Sequence, residues 1–449
     1  MKNTMRPRRF VGLAIAAGLV VSVAACSSES GEDTSGSSGE QSLEVWTRSA
    51  AESAASYQMV FDAFTEKTGV EIDYQPVQEF DTQLQARASQ KDLPDVLIND
   101  ASSLGNYVAQ GFVLPIDRES IEGEGDISDE TWEQNVGLDG ETYGIPWSRQ
   151  ANVTIIRKDW RENLGLEIPT NWEELASLGE AFATQDPDGN GQADTYGMVV
   201  PGSAKSGYIA RWGNSYLWQA GAEILEADGD GYYTSAIDSP EAEEGMTYIR
   251  DLFCTPGVVV PGSVNLTTGE TPFFGQGTAG IYLTGPYNIS SFDTLLGAEN
   301  VEVIPMPEGP ESNTTFAEGE NIYFGASSEK ADLQKQLAEF LVTQEAQEIA
   351  MKVETNEAGV TSQPVVRLPV NENVDVAAVT GDDRWAIVAE DYANDSKTFP
   401  WNIDFNSFRQ ILADGMNAMV ADCSSDIPAG LASIDEQFQA QLEAMDLVK

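Results

Sequence analysis

Leu43-Glu44-Val45-Trp46 sets apolar and polar side chains on alternate sides, the period of a half-buried strand. Tyr57, Val60, Phe61 and Phe64 then recur at three- and four-residue intervals, which places them on one helix face, and Gly69 can end that helix. Val70, Ile72 and Tyr74 return to alternation. Strand, helix and strand within about thirty residues make a βαβ unit, so a parallel sheet with covering helices is expected.

Leu93-Pro94-Asp95-Val96-Leu97-Ile98 reads as another buried strand, and Leu104 to Gln110 as a helix closed by Gly111. Ile145 to Ile156 is largely extended. Thr170-Asn171-Trp172-Glu173-Glu174-Leu175 opens a helix, with Thr170 or Asn171 as its cap. Leu333, Leu337, Phe340 and Leu341 mark an amphipathic helix behind Ser327 and Ser328, and Phe408, Ile411, Leu412 and Met419 mark another. No repeat of solenoid period interrupts the series. The body is α/β throughout.

The first residues follow a different pattern. Lys2, Arg6, Arg8 and Arg9 precede one apolar run from Phe10 to Ala25, which closes as Val23-Ala24-Ala25-Cys26. Residues 1–25 are therefore read as a secretion signal, too short and too rich in Ala and Gly for a lasting membrane span. The ending resembles a lipobox, which makes Cys26 the lipidated first residue of the mature chain. Residues 26–42 are almost wholly small and polar, and a disordered tether is expected there. The expected location is the extracellular face of the cell membrane, with the lipid as the sole contact with the bilayer.

Composition narrows the chemistry. The formal charge is −49, and removing the leader takes away four basic residues and no acid. Such a surface repels nucleic acid and anionic lipid, so neither is an expected partner, and solubility accounts for the charge itself. Hydrophobic content of 41% with nine Trp belongs to a folded body, long enough for two ordinary domains. There is no His, which excludes Ser-His-Asp and Cys-His catalysis and every His-containing zinc site. With Cys26 taken by lipid, Cys254 and Cys423 remain as an even pair in an oxidising compartment. A disulfide between them is the expectation, and two separate buried thiols the alternative.

Ordered blocks along the body carry a resemblance. Pro94-Asp95-Val96 is followed by Ala109-Gln110-Gly111-Phe112-Val113-Leu114-Pro115-Ile116, Tyr143-Gly144-Ile145-Pro146-Trp147 and Ile156-Arg157-Lys158-Asp159. The block Ile168-Pro169-Thr170-Asn171-Trp172-Glu173-Glu174-Leu175 comes next. Phe274-Gly275-Gln276-Gly277-Thr278-Ala279-Gly280-Ile281 then precedes Gly285-Pro286-Tyr287. Together they resemble the extracellular solute-binding proteins of carbohydrate ABC transporters, the family that includes maltose-binding protein. The resemblance implies an α/β, two-lobe, periplasmic-binding-protein-like (type II) fold with a hinge and an interlobe ligand cleft. Lobe one would hold residues 43–150 plus 303–360, and lobe two 151–302 plus 361–449. It also implies a monomer that carries a carbohydrate to ABC permease subunits, with no cofactor and no catalytic residue. Two other readings stay open: a secreted glycoside hydrolase, which needs only two carboxylates, and a binder of another solute such as peptide or polyamine.

A sugar needs flat aromatic platforms and planar polar side chains. By the resemblance, Asp81 stands where the family often places a hydroxyl-binding acid, and Asn99, Asp100 and Ser102 line the loop after the strand ending at Ile98. Trp147 and Gln150 fall in the first segment that crosses between lobes; Gln150 replaces an acid of maltose-binding protein, which argues for a different ligand. Trp212 and Tyr216 precede Gln219-Ala220-Gly221, where the family supplies aromatics. Tyr287 replaces the Trp usual after Gly-Pro. Gly319, Glu320 and Asn321 form the returning loop of lobe one, and Trp401 and Phe405 precede the last helices. Trp172, at a helix start, is read as structural packing.

One loop has metal-like spacing. Asp186, Asp188, Asn190, Gln192 and Asp194 alternate around Gly191, matching the first nine positions of an EF-hand. Position twelve is Gly197, so the bidentate Glu is missing, and no metal is assigned.

Overall fold

Burial follows the alternation at the start of the body: in β1 (Ser42–Thr47), Leu43 and Val45 are buried while Glu44 reaches Arg87 at 2.9 Å. This computed structural model describes residues 42–268, 273–356 and 359–449; the leader, Cys26 and the tether up to residue 41 lie outside them. In chain order the next strands are β2 (Glu71–Pro76), β3 (Val96–Asp100), β4 (Ile145–Ala151), β5 (Val153–Arg157), β6 (Tyr196–Val199), β7 (Leu225–Ala227) and β8 (Tyr233–Ser235). Then come β9 (Ala279–Thr284), β10 (Val301–Ile304), β11 (Thr315–Phe324), β12 (Leu368–Pro369) and β13 (Ser396–Lys397).

The larger sheet runs β12-β4-β11-β3-β1-β2, with β13 beside the start of β11. β1 is parallel to β2 and β3, as the βαβ reading expects, whereas β11 is antiparallel to β3 and β4. The smaller sheet runs β10-β5-β9-β6, and β7 and β8 form a separate pair. Each sheet anchors its own lobe. The first lobe's core includes Phe61, Phe64, Trp147 and Leu337. The second packs Trp160, Trp172, Tyr216, Phe405, Phe408 and Phe438.

Helix ends explain themselves locally. The helix Ala51–Thr68 buries Tyr57, Val60, Phe61 and Phe64 and stops at Gly69, whose φ of 75° is left-handed. The helix Trp172–Thr184 starts where the Asn171 side chain accepts a hydrogen bond from the Glu174 N–H at 3.0 Å.

β4 and β5 are separated by Asn152 alone, so the chain passes directly from one sheet into the other. β10 to β11 carries it back. The two crossings lie side by side: Asn152 donates its N–H to Phe316 O at 2.9 Å, and Thr315 Oγ1 donates to Asn152 O at 2.8 Å. The outlines differ in detail from the expected boundaries. β10 keeps residues 303 and 304 in the smaller sheet. Residues 365–370, expected in lobe two, run along the larger sheet, because Val365, Val366 and Val370 bury in the first core and Leu368–Pro369 pairs with β4. The closing helices Phe405–Ala421 and Ile427–Ala444 belong to the second lobe, and a disulfide joins Cys254 to Cys423 there, Cα to Cα 5.7 Å.

Candidate ligand-binding cleft

The side-by-side crossings give the cleft its floor. In the β4–β11 register Gln150 faces Glu318 and Ser148 faces Glu320. Period two sends all four side chains to one face of these strands. There they line a cavity of about 320 Å³ that both lobes enclose. The first lobe adds Arg48 and Asp100 from the ends of β1 and β3; the second adds Arg211 and Trp212 from the helix Tyr208–Gln219, and Tyr287 after β9.

Ion pairs dominate the wall. Arg211 bonds Asp100 Oδ2 at 3.1 Å and also Glu318 Oε2, tying a second-lobe helix to the first lobe and to the floor. Arg48 holds Asp100 Oδ1, and Gln150 Nε2 donates to Glu318 Oε1 at 2.8 Å. Arg367 Nη1 donates to Glu320 Oε1 at 2.8 Å, while Tyr57 donates its hydroxyl to Glu320 Oε2 at 2.6 Å. Both oxygens of each carboxylate are thereby occupied. Burial opposes the charge on Asp100, but Arg48, Arg211 and Arg409 hold its carboxyl below the usual range. Asp100 in turn raises Arg48. Burial and then the charge of Arg211 push Arg409 down to about 9.

Tyr208, Trp212, Tyr287 and Phe316 bring aromatic rings to the cavity. Tyr287 lies under the Arg367 guanidinium at 5.9 Å and accepts a hydrogen bond from Thr284 Oγ1 at 3.1 Å. Gly285 makes room for it, since a Cβ there would sit 2.6 Å from Tyr287 Cε1. Trp212 contributes an edge; its indole N–H donates to Pro201 O at 3.2 Å and its ring stacks on Phe253.

Of the residues expected from sequence, Asp100, Gln150, Trp212, Tyr287, Gly319 and Glu320 border this cavity. The others lie elsewhere. Trp147 points to the opposite face of β4 from Gln150, stacks on Tyr57 and donates to its hydroxyl at 3.2 Å. Tyr216 and Phe405 are fully buried in the second core. Asn321 accepts from Arg149 at 3.2 Å and Asn99 donates to Tyr107, which in turn donates to Asp81 at 3.0 Å. Ser102 accepts from Arg409 at 3.3 Å, and Trp401 lies under Arg149, its carbonyl bonded by Gly105 N–H at 2.8 Å. Arg48, Arg211, Glu318 and Arg367 were not foreseen. Their signal was scarcity, because an arginine stands out in a chain with 24 basic and 73 acidic residues.

The loop at Asp186 folds on itself: Asp186 accepts from Asn190 N and Gly191 N, and the Asn190 side-chain amide donates to Asp188 and Asp194. Among the described residues no group of three or more acidic or thiol ligands is arranged for a metal.

Residues 49–348 match the model of the family described as bacterial extracellular solute-binding protein. The chain belongs to that family. Among curated relatives, the polygalacturonan/rhamnogalacturonan-binding protein YtcQ of Bacillus subtilis is 31% identical over 40% of this chain and 36% of its own length. The fructooligosaccharide ABC transporter substrate-binding protein FusA of Streptococcus pneumoniae is 29% identical over 43% of this chain and 40% of its own. The chain thus spans about two fifths of the length of the first curated relatives it matches. The diacetylchitobiose binding protein DasA of Streptomyces coelicolor is 23% identical over 73% of this chain and 76% of its own. The fold is that of a tagatose-bound ABC transporter solute-binding protein from Thermotoga lettingae, with TM-score 0.75, 17% identity, and coverage of 90% of this chain and 100% of that one. This family member is therefore two-lobed.

Proposed function

We propose that this protein binds a carbohydrate reversibly in its interlobe cleft and delivers it unchanged to the permease of an ABC transporter. The observation that carries the reading is the cavity at the crossing strands, where Gln150 and Tyr287 meet ionised side chains from both lobes. Planar amide and guanidinium groups grip paired hydroxyls, and a tyrosine ring covers an apolar sugar face. The relatives named for polygalacturonan, fructooligosaccharide and diacetylchitobiose add support, since all three ligands are carbohydrates. Closure would follow the hinge motion of periplasmic binding proteins, about the paired crossings at Asn152 and Thr315.

Hydrolysis would need one carboxylic acid to give a proton and a second carboxylate to attack or to activate water. Here every oxygen of Asp100, Glu318 and Glu320 is held by a protein donor. The site is equipped to hold a sugar, not to cut it. A lipid on Cys26 would keep the monomer at the outer face of the membrane, a reading to which Lipoprotein LipO of Bacillus subtilis, 27% identical over 42% of this chain, lends support. Cys26→Ser should release the protein from the membrane fraction or block its processing.

A thermal-shift screen against sugars, peptides and polyamines tests the reading, because a ligand that binds the native state raises its apparent stability. At least one sugar should stabilise the protein and be recovered intact by chromatography. Cleavage products would make it a hydrolase, and stabilisation by peptide or polyamine alone would assign another solute class.

A further inference from the structure

Donors and acceptors at the cavity wall do not balance. Each of the six oxygens of Asp100, Glu318 and Glu320 already accepts one hydrogen bond, from Arg48, Arg211, Gln150, Arg367 or Tyr57. The arginines are not used up in return. Arg367 spends Nη1 on Glu320 and on Val365 O, while its Nε is buried with no partner. Among the described residues no acceptor bonds its Nη2 either. The Nε–Nη2 edge of the guanidinium is therefore free, and the Tyr287 ring lies under it, 5.9 Å from the guanidinium carbon. Arg48 gives only Nη2 to Asp100 and likewise keeps Nε and Nη1 without an acceptor among the described residues. Both arginines border the same cavity. Against these donors the wall offers one idle buried acceptor, Gln150 Oε1.

Arg367 Nε is a buried N–H without an acceptor, which is costly, and the other free N–H groups of both guanidiniums carry positive charge, so an acceptor-rich ligand suits this wall. A neutral sugar hydroxyl could pair with Arg367 Nε and Gln150 Oε1 but offers no charge to the guanidiniums. A polyamine brings donors alone. A carboxylate has two coplanar acceptor oxygens and no donor, and it matches a guanidinium edge with two parallel hydrogen bonds. We infer that the sugar taken by this cleft is acidic, a uronate or uronate oligomer whose carboxylate is received by the Nε–Nη2 edge of Arg367, with Arg48 beside it. Gln150 Oε1 is then left to accept from a ring hydroxyl. This inference rests on the sugar-binding reading above and adds to it the charge of the ligand.

Calorimetric titration of the folded protein separates the two. The probes are D-galacturonate, D-glucuronate, di- and trigalacturonate, the methyl ester of galacturonate, D-galactose, D-glucose and galactose 1-phosphate. A uronate should bind at least tenfold more tightly than its neutral hexose, and galacturonate or its oligomer more tightly than the ester, which differs only at the carboxylate. Arg367→Lys keeps the charge but loses the planar edge, and its uronate-to-hexose ratio should fall most of the way to one. Its melting temperature without ligand reports whether it has folded; if it has not, the ester comparison on the unaltered protein decides. Neutral hexose binding as tightly as uronate overturns the acidic ligand, and the phosphate binding more tightly overturns the uronate; either result leaves the sugar reading standing. Binding of no sugar in the panel removes both.

Discussion

Asp391 is a carboxyl in the wrong surroundings for its charge. It lies on the helix Arg384–Asp395, only 4% exposed, with Oδ2 unpartnered. Burial pushes its pKa up to about 7; the Met306 N–H works against the rise, and Asp395 and Glu390 add to it. In the unfolded chain the group ionises near its ordinary value, so between about pH 4 and pH 7 the native state binds more protons than the unfolded one. Stability contributed by the protonated carboxyl is thus full at the acid end and lost as pH rises through 7, by roughly 2–4 kcal/mol. Asp391→Asn should be more stable than the parent at pH 8, with the two converging near pH 4 in urea unfolding. Parallel stability profiles would mean the carboxyl is better solvated than its position indicates. Gly285 makes a sharper point about the cleft. Its φ of −77° suits any residue, so its purpose is space. In Gly285→Ala the added carbon meets Tyr287 and Gln150, which should weaken ligand binding by roughly 1–3 kcal/mol with little change in the melting temperature without ligand. Equal affinity in calorimetry would show that the Tyr287 ring has freedom to move.

At the level of elements, what the sequence revealed and what it hid have different physical causes. Helix ends are decided by one or two neighbouring residues, and Gly69, Gly111 and Asn171 were all readable. Asn171→Ala should cost the native state about 1 kcal/mol in thermal unfolding, the usual worth of a side-chain cap. An unchanged melting temperature would mean that Glu174, which accepts from Thr170 N at 2.8 Å, suffices as the cap. The strands β1 and β2 were likewise visible from their alternation, and β3 from its apolar run. β12 and β13 have two residues each and exist only through partners far away in sequence, so no local period could announce them. The cleft suffered the same limit. Trp147 and Gln150 are three apart on one strand, hence on opposite faces, and which face is inside depends on the pairing with β11. That pairing contains a register shift between Glu320 and Asn321, the kind of irregularity that re-aims side chains and that residue types do not encode. Trp212 and Tyr287, which border the cavity, stood out from sequence because glycines and polar residues surround them; Arg367 did not, because its segment has no period at all.

For the whole molecule, the question is what holds the lobes together and what lets them part. The Cys254–Cys423 bridge is internal to the second lobe and closes a loop of 169 residues. In the chain-entropy model that restricts the unfolded state by about 5 kcal/mol. Cys254→Ser with Cys423→Ser should lower stability by several kcal/mol, and neither Cys254 nor Cys423 should titrate as a free thiol in denatured, unreduced parent protein. The contact between lobes is of another kind. Arg211 rides on a second-lobe helix yet bonds Asp100 at the end of β3, and Arg409 reaches Ser102 beside it. These bonds form only when the lobes meet, whereas Asp100 keeps Arg48 and Glu318 keeps Gln150 in either arrangement. Parting the lobes would thus leave a protein donor on both Asp100 and Glu318, at the cost of the Arg211 and Arg409 bonds together with the Gly105 N–H bond to Trp401 O. A bias of about 1.4 kcal/mol toward the closed form changes its population ratio tenfold, enough to raise apparent affinity without any new ligand contact. Arg211→Gln removes the charge and retains a donor of shorter reach, so the protein without ligand should spend more time open. Small-angle scattering should report a larger radius of gyration for it than for the parent, with the difference shrinking at saturating ligand, when closure is driven by the ligand instead. Identical radii without ligand would mean that the Arg211–Asp100 pair accompanies closure without biasing it.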